Sequence, residues 1–450
     1  MTATMTSSAH ARATLVLGLP LVGSSLAQMA LHVADTVMLG WYGVVALAAV
    51  VLGSSSFFIL FVLGSGFAKA VMPMVASARA AGDETQVRRD ARMGLWLSAA
   101  YGVLIYPVFW WAEPILLALG QEAEVSAIAG DYLRIAGLGM VPALWVAVLQ
   151  SWLSALGRTQ VVLWVTVAAL GLNVAINWAL IFGNWGFPEL GAQGAAVATL
   201  AVQIASFLAL APYAALQPGL RPYRLFQRFW RADPVALRQV FRLGWPIGLT
   251  GIAEGGLFQA SALMMGWVGT VQLAAHGIAL EAAAVAFMIH VGLSSAATIR
   301  VAEFRGKGRA EDLRAAARVA LVLSFAVAVL VTVLFVSAPG WIIGLFVDET
   351  KPESAAILTF GVTLLALAAL FQLADAMQVM ALGLLRGLHD TRVPLILAAV
   401  SYWVIGIPIS YVLAFPLGLA GVGLWLGLVI GLVAAGGSLM ARFWVLAPKG

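Results

Sequence analysis

The chain has 450 residues, 62% of them hydrophobic and only 10% charged, with 25 Lys and Arg against 20 Asp and Glu and no cysteine. A water-soluble domain carries about 25% charged residues to keep its surface solvated, so this composition excludes a soluble globular particle and leaves lipid as the main solvent. The absence of cysteine excludes disulfides and thiol chemistry. The net charge of +5 is scattered in short clusters between apolar stretches, which excludes the basic domain of a nucleic-acid binder.

About 20 apolar residues cross a bilayer. The chain opens on thirteen mostly polar residues, and the apolar run 14–39 is too long for a signal-peptide core, so it is read as an uncleaved first span. Further runs follow at 44–76, 93–112, 126–156, 160–182, 191–216, 237–268, 272–302, 313–338, 354–385, 392–414 and 419–446, making twelve. With the N-terminus in the cytoplasm, 22 of the 25 Lys and Arg residues fall on the cytoplasmic side, leaving Lys351, Arg134 and Lys69 elsewhere. That is the asymmetry the positive-inside rule predicts, and it places both termini inside.

The chain also matches itself at an offset of 226 residues, without gaps, from Leu17 to beyond Arg92. Leu17-Gly18-Leu19-Pro20 answers to Leu243-Gly244-Trp245-Pro246, and Met38-Leu39-Gly40-Trp41 to Met264-Met265-Gly266-Trp267. Beyond the second span, Arg79, Gly82, Arg88 and Arg92 fall on Arg305, Gly308, Arg314 and Arg318. Each repeat holds six spans, an even number, so the two halves share one orientation. Parallel repeats of this kind typify transporters that alternate access. The expected organisation is an N-terminal lobe over 1–216, a cytoplasmic linker over 217–236 and a C-terminal lobe over 237–450.

Four acids fall inside spans: Asp35, Glu254, Glu281 and Asp375. An ionised carboxylate at a helix centre costs roughly 2.5–3.5 kcal/mol on insertion scales, so such residues mark an ion or substrate path. Among the expected spans no arginine neutralises them, which makes a mobile cation or proton the natural partner; hard cations prefer carboxylate and carbonyl oxygens. Asn173 and Asn177 are spaced i, i+4 on one face of the fifth span and are positioned to help Asp35 bind a cation, with an interhelical hydrogen bond as the plainer alternative. His276 and His290 are candidates for proton relay or for satisfied polar contacts. Pro20 and Pro246 occupy equivalent places where a helix bends.

Taken together, the segments Ala34-Asp35-Thr36-Val37-Met38-Leu39-Gly40, Leu153-Ser154-Ala155-Leu156-Gly157-Arg158, Ala274-Ala275-His276 with Ile278-Ala279-Leu280, and Arg386-Gly387-Leu388-His389-Asp390-Thr391-Arg392-Val393-Pro394 resemble the multidrug and toxic compound extrusion (MATE) family, in its bacterial NorM-like branch. The resemblance covers nearly the whole chain. It implies an all-α integral membrane protein whose twelve transmembrane helices form two pseudo-symmetric six-helix bundles in a V-shaped arrangement. It further implies export of organic, cationic, lipophilic compounds in antiport with Na+ or H+, in a bacterial inner membrane. Glu254 and Asp375 match the acids used for cation coupling in the C-terminal lobe, and Asp35 with Asn173 and Asn177 matches the N-terminal cation site. A coupling Na+ would sit at Glu254, Asp375 or Asp35. Two positions depart from the family pattern: Gly277 replaces the usual glutamine after the histidine, and Glu281 stands where an amide is common. Glu281 and His276 are therefore added as candidates for coupling or substrate contact.

The alternative in the same superfamily, a lipid-linked sugar flippase, is expected to have a basic cavity for pyrophosphate, whereas the charges within these spans are acidic. No His-Glu-x-x-His cluster or Gly-x-x-x-x-Gly-Lys-Ser/Thr loop occurs, so neither an enzyme nor an ATPase is expected. The expected partners are small organic molecules and the lipid bilayer, with no nucleic acid, no ATP and no cofactor beyond the coupling ion, and the chain is expected to act as a monomer.

Overall fold

The computed structural model describes residues 5–347 and 354–448; Lys351 and Lys449, counted above among the basic residues, lie outside the described residues. Every long element among the described residues is helical. In the first half these are α1 (Ser7–Tyr42), α2 (Val44–Ala80), α3 (Glu84–Trp110), the short α4 (Ala112–Ala118), α5 (Ala123–Leu138), α6 (Met140–Ala155), α7 (Thr159–Ile181) and α8 (Ala192–Leu216). In the second half they are α9 (Pro234–Val268), α10 (Thr270–Gly306), α11 (Ala310–Ser337), the short α12 (Pro339–Gly344), α13 (Ser354–Gly387), α14 (Arg392–Ala399), α15 (Ile407–Ala414) and α16 (Ala420–Leu446). A π-helical stretch, Val400–Gly406, joins α14 to α15 into one span.

Among the described residues ten spans are long and apolar enough to cross a membrane, and the pair α5–α6, bent by 46°, makes an eleventh. The 35-residue α9 fills the remaining expected place, the seventh. All twelve apolar runs therefore fall on helices, and the chain is a multi-pass membrane protein. The run 126–156, read as continuous, is broken at Gly139 in the structure.

The 226-residue offset reappears in the helix boundaries. Val44–Ala80 recurs as Thr270–Gly306, and Glu84 recurs as Ala310. The matching turns have one physical cause. Gly82 and Gly308 both adopt left-handed backbone (φ 78 and 65), the conformation that closes a helix C-terminus and favours glycine. Asp83 N–H then donates to Ala78 O at 2.9 Å, and Arg309 N–H to Phe304 O at 3.0 Å, satisfying the last carbonyls of α2 and α10. On the next helix, the Asp83 carboxylate accepts from Gln86 N–H at 2.8 Å and starts α3.

By contact the chain forms two compact units, Gly23–Gly248 and Met1–Val22 with Leu249–Gly450. The changeovers lie within α1 and α9, at positions equivalent under the repeat and two residues after Pro20 and Pro246. The first unit packs Leu39, Phe109, Met140, Leu144 and Ile181 into its core. The second packs Leu257, Phe371, Leu424 and Trp425 with Tyr402. Outward, α11 presents Val322, Phe325, Val329, Leu330 and Val333, a stripe of exposed apolar side chains that lipid can solvate.

Small residues let helices close on one another where polar glue is absent. On α16, Gly423, Gly427 and Gly431 recur every four residues against the backbone of Leu413, Ser410 and Gly406; a Cβ on Gly431 would lie 2.9 Å from the Gly406 Cα. This packing holds the π-helical span against α16 and so fixes the height of Tyr402.

Candidate functional site

Two clusters of intramembrane polar groups stand out, one in each unit. In the second unit, Asp375 near the middle of α13 is fully buried, and neither carboxylate oxygen has a hydrogen-bond partner among the described residues. Glu254, from the part of α9 within the same unit, lies within electrostatic range of Asp375. Gln372 and Gln378 flank Asp375 at i−3 and i+3, on its face of the helix. Both are fully buried. Gln372 donates its amide to Ala283 O on α10 at 3.0 Å, and Gln378 donates to the Tyr402 hydroxyl at 2.6 Å. Each keeps an amide oxygen without a partner among the described residues. Tyr402 comes from the π-helical stretch, and such stretches inside helices are frequent at functional sites because the wider turn re-aims side chains.

Arg386 modifies the expectation of acids without a basic neighbour. Assigned by sequence to a cytoplasmic connection, it lies near the end of α13 and within electrostatic range of Glu254 and Tyr402. Glu254 thus has both Asp375 and Arg386 within range, while Arg386 itself lies eleven residues, about 16 Å, beyond Asp375 along α13.

In the first unit, Asn177 on α7 donates its amide to Asp35 Oδ1 on α1 at 2.5 Å and to Asn173 Oδ1 at 3.1 Å. Both asparagines are buried, and Asn177 Oδ1 has no partner among the described residues. Tyr132 on α5 is buried within electrostatic range of Asp35. The i, i+4 spacing on α7 sets both asparagines on one face, and the bond from Asn177 to Asp35 is the interhelical hydrogen bond named above as the plainer alternative.

The remaining candidates lie outside both clusters. His276 is fully buried, but its ring is held by Trp425 Nε1, which donates to Nδ1 at 3.0 Å, and by the Ser261 hydroxyl, 3.4 Å from Nε2. His290 Nδ1 meets the Ser324 hydroxyl at 2.9 Å. Glu281 on α10 is exposed. Among the described residues no group of three or more His, Cys, Asp or Glu side chains gathers as a metal site. Sequence reasoning passed over Gln372, Gln378, Tyr402 and Tyr132. The two glutamines carried a legible signal, since amides three residues either side of an intramembrane acid share its face; Tyr402 carried none, because its register depends on the π-helical turn.

Comparison with known proteins places this geometry in context. The family model MatE matches residues 20–179 and 246–412. Two proteins named "probable multidrug resistance protein NorM" are similar along nearly their whole length. The one from Rhizobium meliloti (strain 1021) is 46% identical over 98% of this chain and 94% of its own. The one from Agrobacterium fabrum is 45% identical over 98% and 95%. Among solved structures, that of MATE in complex with MaD3S superposes with a TM-score of 0.88 at 21% identity, covering 97% of this chain and 96% of that one. The eukaryotic MATE transporter AtDTX14 gives 0.87 at 20%, covering 98% and 97%.

Proposed function

The chain belongs to the MatE family, and from that premise we propose that it is a secondary active multidrug exporter, extruding organic, cationic, lipophilic compounds in antiport with Na+ or H+. The observation that carries the coupling step is Asp375, a fully buried carboxylate with neither oxygen hydrogen-bonded among the described residues, within electrostatic range of Glu254. A charge left so in an apolar interior is costly, and binding a proton or a hard cation removes the cost. The amide oxygens of Gln372 and Gln378 are further oxygen donors of the kind a desolvated Na+ takes.

The cluster of Asp35, Asn173 and Asn177 offers a second set of oxygens, and the partner-free Asn177 Oδ1 is the acceptor a cation would engage. Coupling requires that cation and substrate bias the same two-state equilibrium in opposite directions. Acidic intramembrane groups favour cationic cargo over a pyrophosphate-linked one. Support for both termini in the cytoplasm of a bacterial inner membrane comes from the basic residues, 22 of 25 on one side. In this reading the chain works as a monomer, is not an enzyme, and needs neither ATP nor a cofactor beyond its ion.

The test uses proteoliposomes loaded with a fluorescent organic cation, with Na+ and pH gradients imposed separately. Export driven by one gradient and lost in Glu254→Gln is the expected result, and it names the ion. Equal export with and without either gradient in folded wild-type protein would overturn antiport.

A further inference from the structure

The first unit contains a cavity of about 510 Å³ outside both carboxylate clusters, where the start of α3 meets the linker that precedes α9. Five arginines line it: Arg88, Arg89 and Arg92 from α3, and Arg228 and Arg231 from the linker. One acid, Asp233, also lines it and is already engaged, since Arg89 donates to both of its carboxylate oxygens, to Oδ1 at 3.0 Å. Among the described residues no carboxylate forms an ion pair with Arg88, Arg92, Arg228 or Arg231. Asp90, next to this run, is buried and accepts from Gln86 at 2.5 Å.

The cavity is built rather than incidental. Arg92 is only 6% exposed, and its Nε–H is buried without a partner among the described residues. Its Nη1 donates to Arg228 O at 3.1 Å, while Trp96 Nε1 donates to Phe229 O at 2.9 Å, so two side chains of α3 hold the linker in place. Arg228 is held with φ 51, a left-handed conformation uncommon outside glycine. The equivalent arginines of the second half show a different arrangement. Arg314 and Arg318 lie over the Trp444 ring, and Arg314 donates to the carbonyls of Trp444 and Ala447. There the guanidinium groups are occupied by the helix end; in the first half Arg92 spends one nitrogen on the linker carbonyls and, with Arg88, lines the cavity.

We propose that this arginine cavity is a binding site for a phosphate group, carried by an anionic phospholipid headgroup or by a soluble phosphate. Guanidinium groups bind phosphate oxygens bidentately, and basic pockets at the cytoplasmic edge of membrane helices take lipid phosphates. The linker would then be clamped to α3 through the ligand as well as through Arg92.

The experiment uses the full chain in phosphatidylcholine nanodiscs. Inorganic phosphate is titrated against the melting temperature, and in parallel phosphatidylglycerol is added to the discs and lipid retention is counted by native mass spectrometry. Wild type should respond to one probe, the response weakening as ionic strength rises. Arg88→Gln with Arg231→Gln should weaken it at least about tenfold, the loss of one charge-assisted contact or more. Arg314→Gln with Arg318→Gln should leave it within about twofold, as expected for distant sites. Should the first pair fail to fold, Arg228→Gln gives the same readout, because its anchoring contact uses the backbone carbonyl. A phosphatidylglycerol response alone assigns the site to lipid, and a phosphate response assigns it to a soluble ester. No response to either probe in wild type, or equal responses in the pocket and control variants, would overturn the proposal.

Discussion

Asp375→Asn separates a coupling role from a structural one, because it removes the charge while keeping the side-chain volume. In wild type the carboxylate is fully buried and both oxygens lack hydrogen-bond partners among the described residues. Leaving a buried polar group unsatisfied costs about 1–3 kcal/mol, and more when it is charged. Replacing a buried ion pair by well-packed apolar groups is often neutral or stabilising by about 1–4 kcal/mol, and an amide, which stays polar, recovers only the low end of that range. The packing around α13 is unaffected by an isosteric change, so the variant should gain about 1 kcal/mol. At about 2–4 °C per kcal/mol for mid-sized domains, and less for a chain this long, the apparent melting temperature should rise by about 1–3 °C. The ion supplies the second half of the test. Ligand at a hundredfold over its dissociation constant stabilises by about 2.7 kcal/mol, so saturating coupling ion should raise the wild-type melting temperature and leave Asp375→Asn unmoved. Thermal unfolding in nanodiscs, read with gradient-driven export in proteoliposomes, measures both. A variant that melts several degrees lower and still exports under a gradient would refute the reasoning, since Asp375 would then be held by contacts that matter to the fold and not to coupling.

Three further predictions follow from contacts. Asn177→Ala removes the bonds to Asp35 and Asn173; about 1.5–3 kcal/mol is at stake for a bond to a charged group, so melting temperature and ion dependence should both fall, and an unchanged ion profile would leave the first-unit cluster a packing device. Gly427→Val puts a side chain into the backbone of Ser410; overpacking of this kind costs about 1–3 kcal/mol, and size-exclusion profiles should lose monodispersity. In the linker, the hydrogen bond from Arg89 holds the Asp233 carboxyl down at about 2. A carboxyl depressed in the folded state contributes stability above its unfolded value near 4 and loses it as pH falls through the folded value. Asp233→Asn should therefore speed amide exchange across 224–236 at pH 7, and the difference from wild type should shrink toward pH 2.

The twelve spans and the repeat were legible because they rest on properties that survive without tertiary contacts. Apolar length sets a membrane helix, and a glycine in left-handed backbone sets where it stops; Gly82 and Gly308 could be paired from sequence alone. The break at Gly139 was not legible. Glycine is common within these spans, and in α16 Gly423, Gly427 and Gly431 leave the helix unbroken and instead bring a neighbour close. Whether a glycine bends a helix or seats one depends on what packs across it, which one sequence does not record.

The same limit explains which parts of the site could be read. Asp35, Asn173 and Asn177 were recoverable because two of them share a helix face and the third is a charge lipid will not accept. Glu254 and Asp375 were recoverable as charges, but their neighbours were not. Arg386 looked like a loop residue because it borders the charged segment Arg386–Arg392, yet α13 continues to Gly387 and carries it within reach of Glu254. Tyr402 reaches Gln378 only because one turn of its span is π-helical. The halves diverge at these places. The fourth span is bent in the first half, whereas its counterpart α13 is continuous through Asp375; the fifth is regular through Asn173 and Asn177, whereas its counterpart is π-helical at Tyr402. A duplicated chain that kept both halves alike would present equivalent acid clusters. Here one cluster sets Asn173 and Asn177 beside a single acid and the other sets two acids together, with Arg386 near Glu254, so under the proposed antiport the two need not bind the same ion or favour the same conformation.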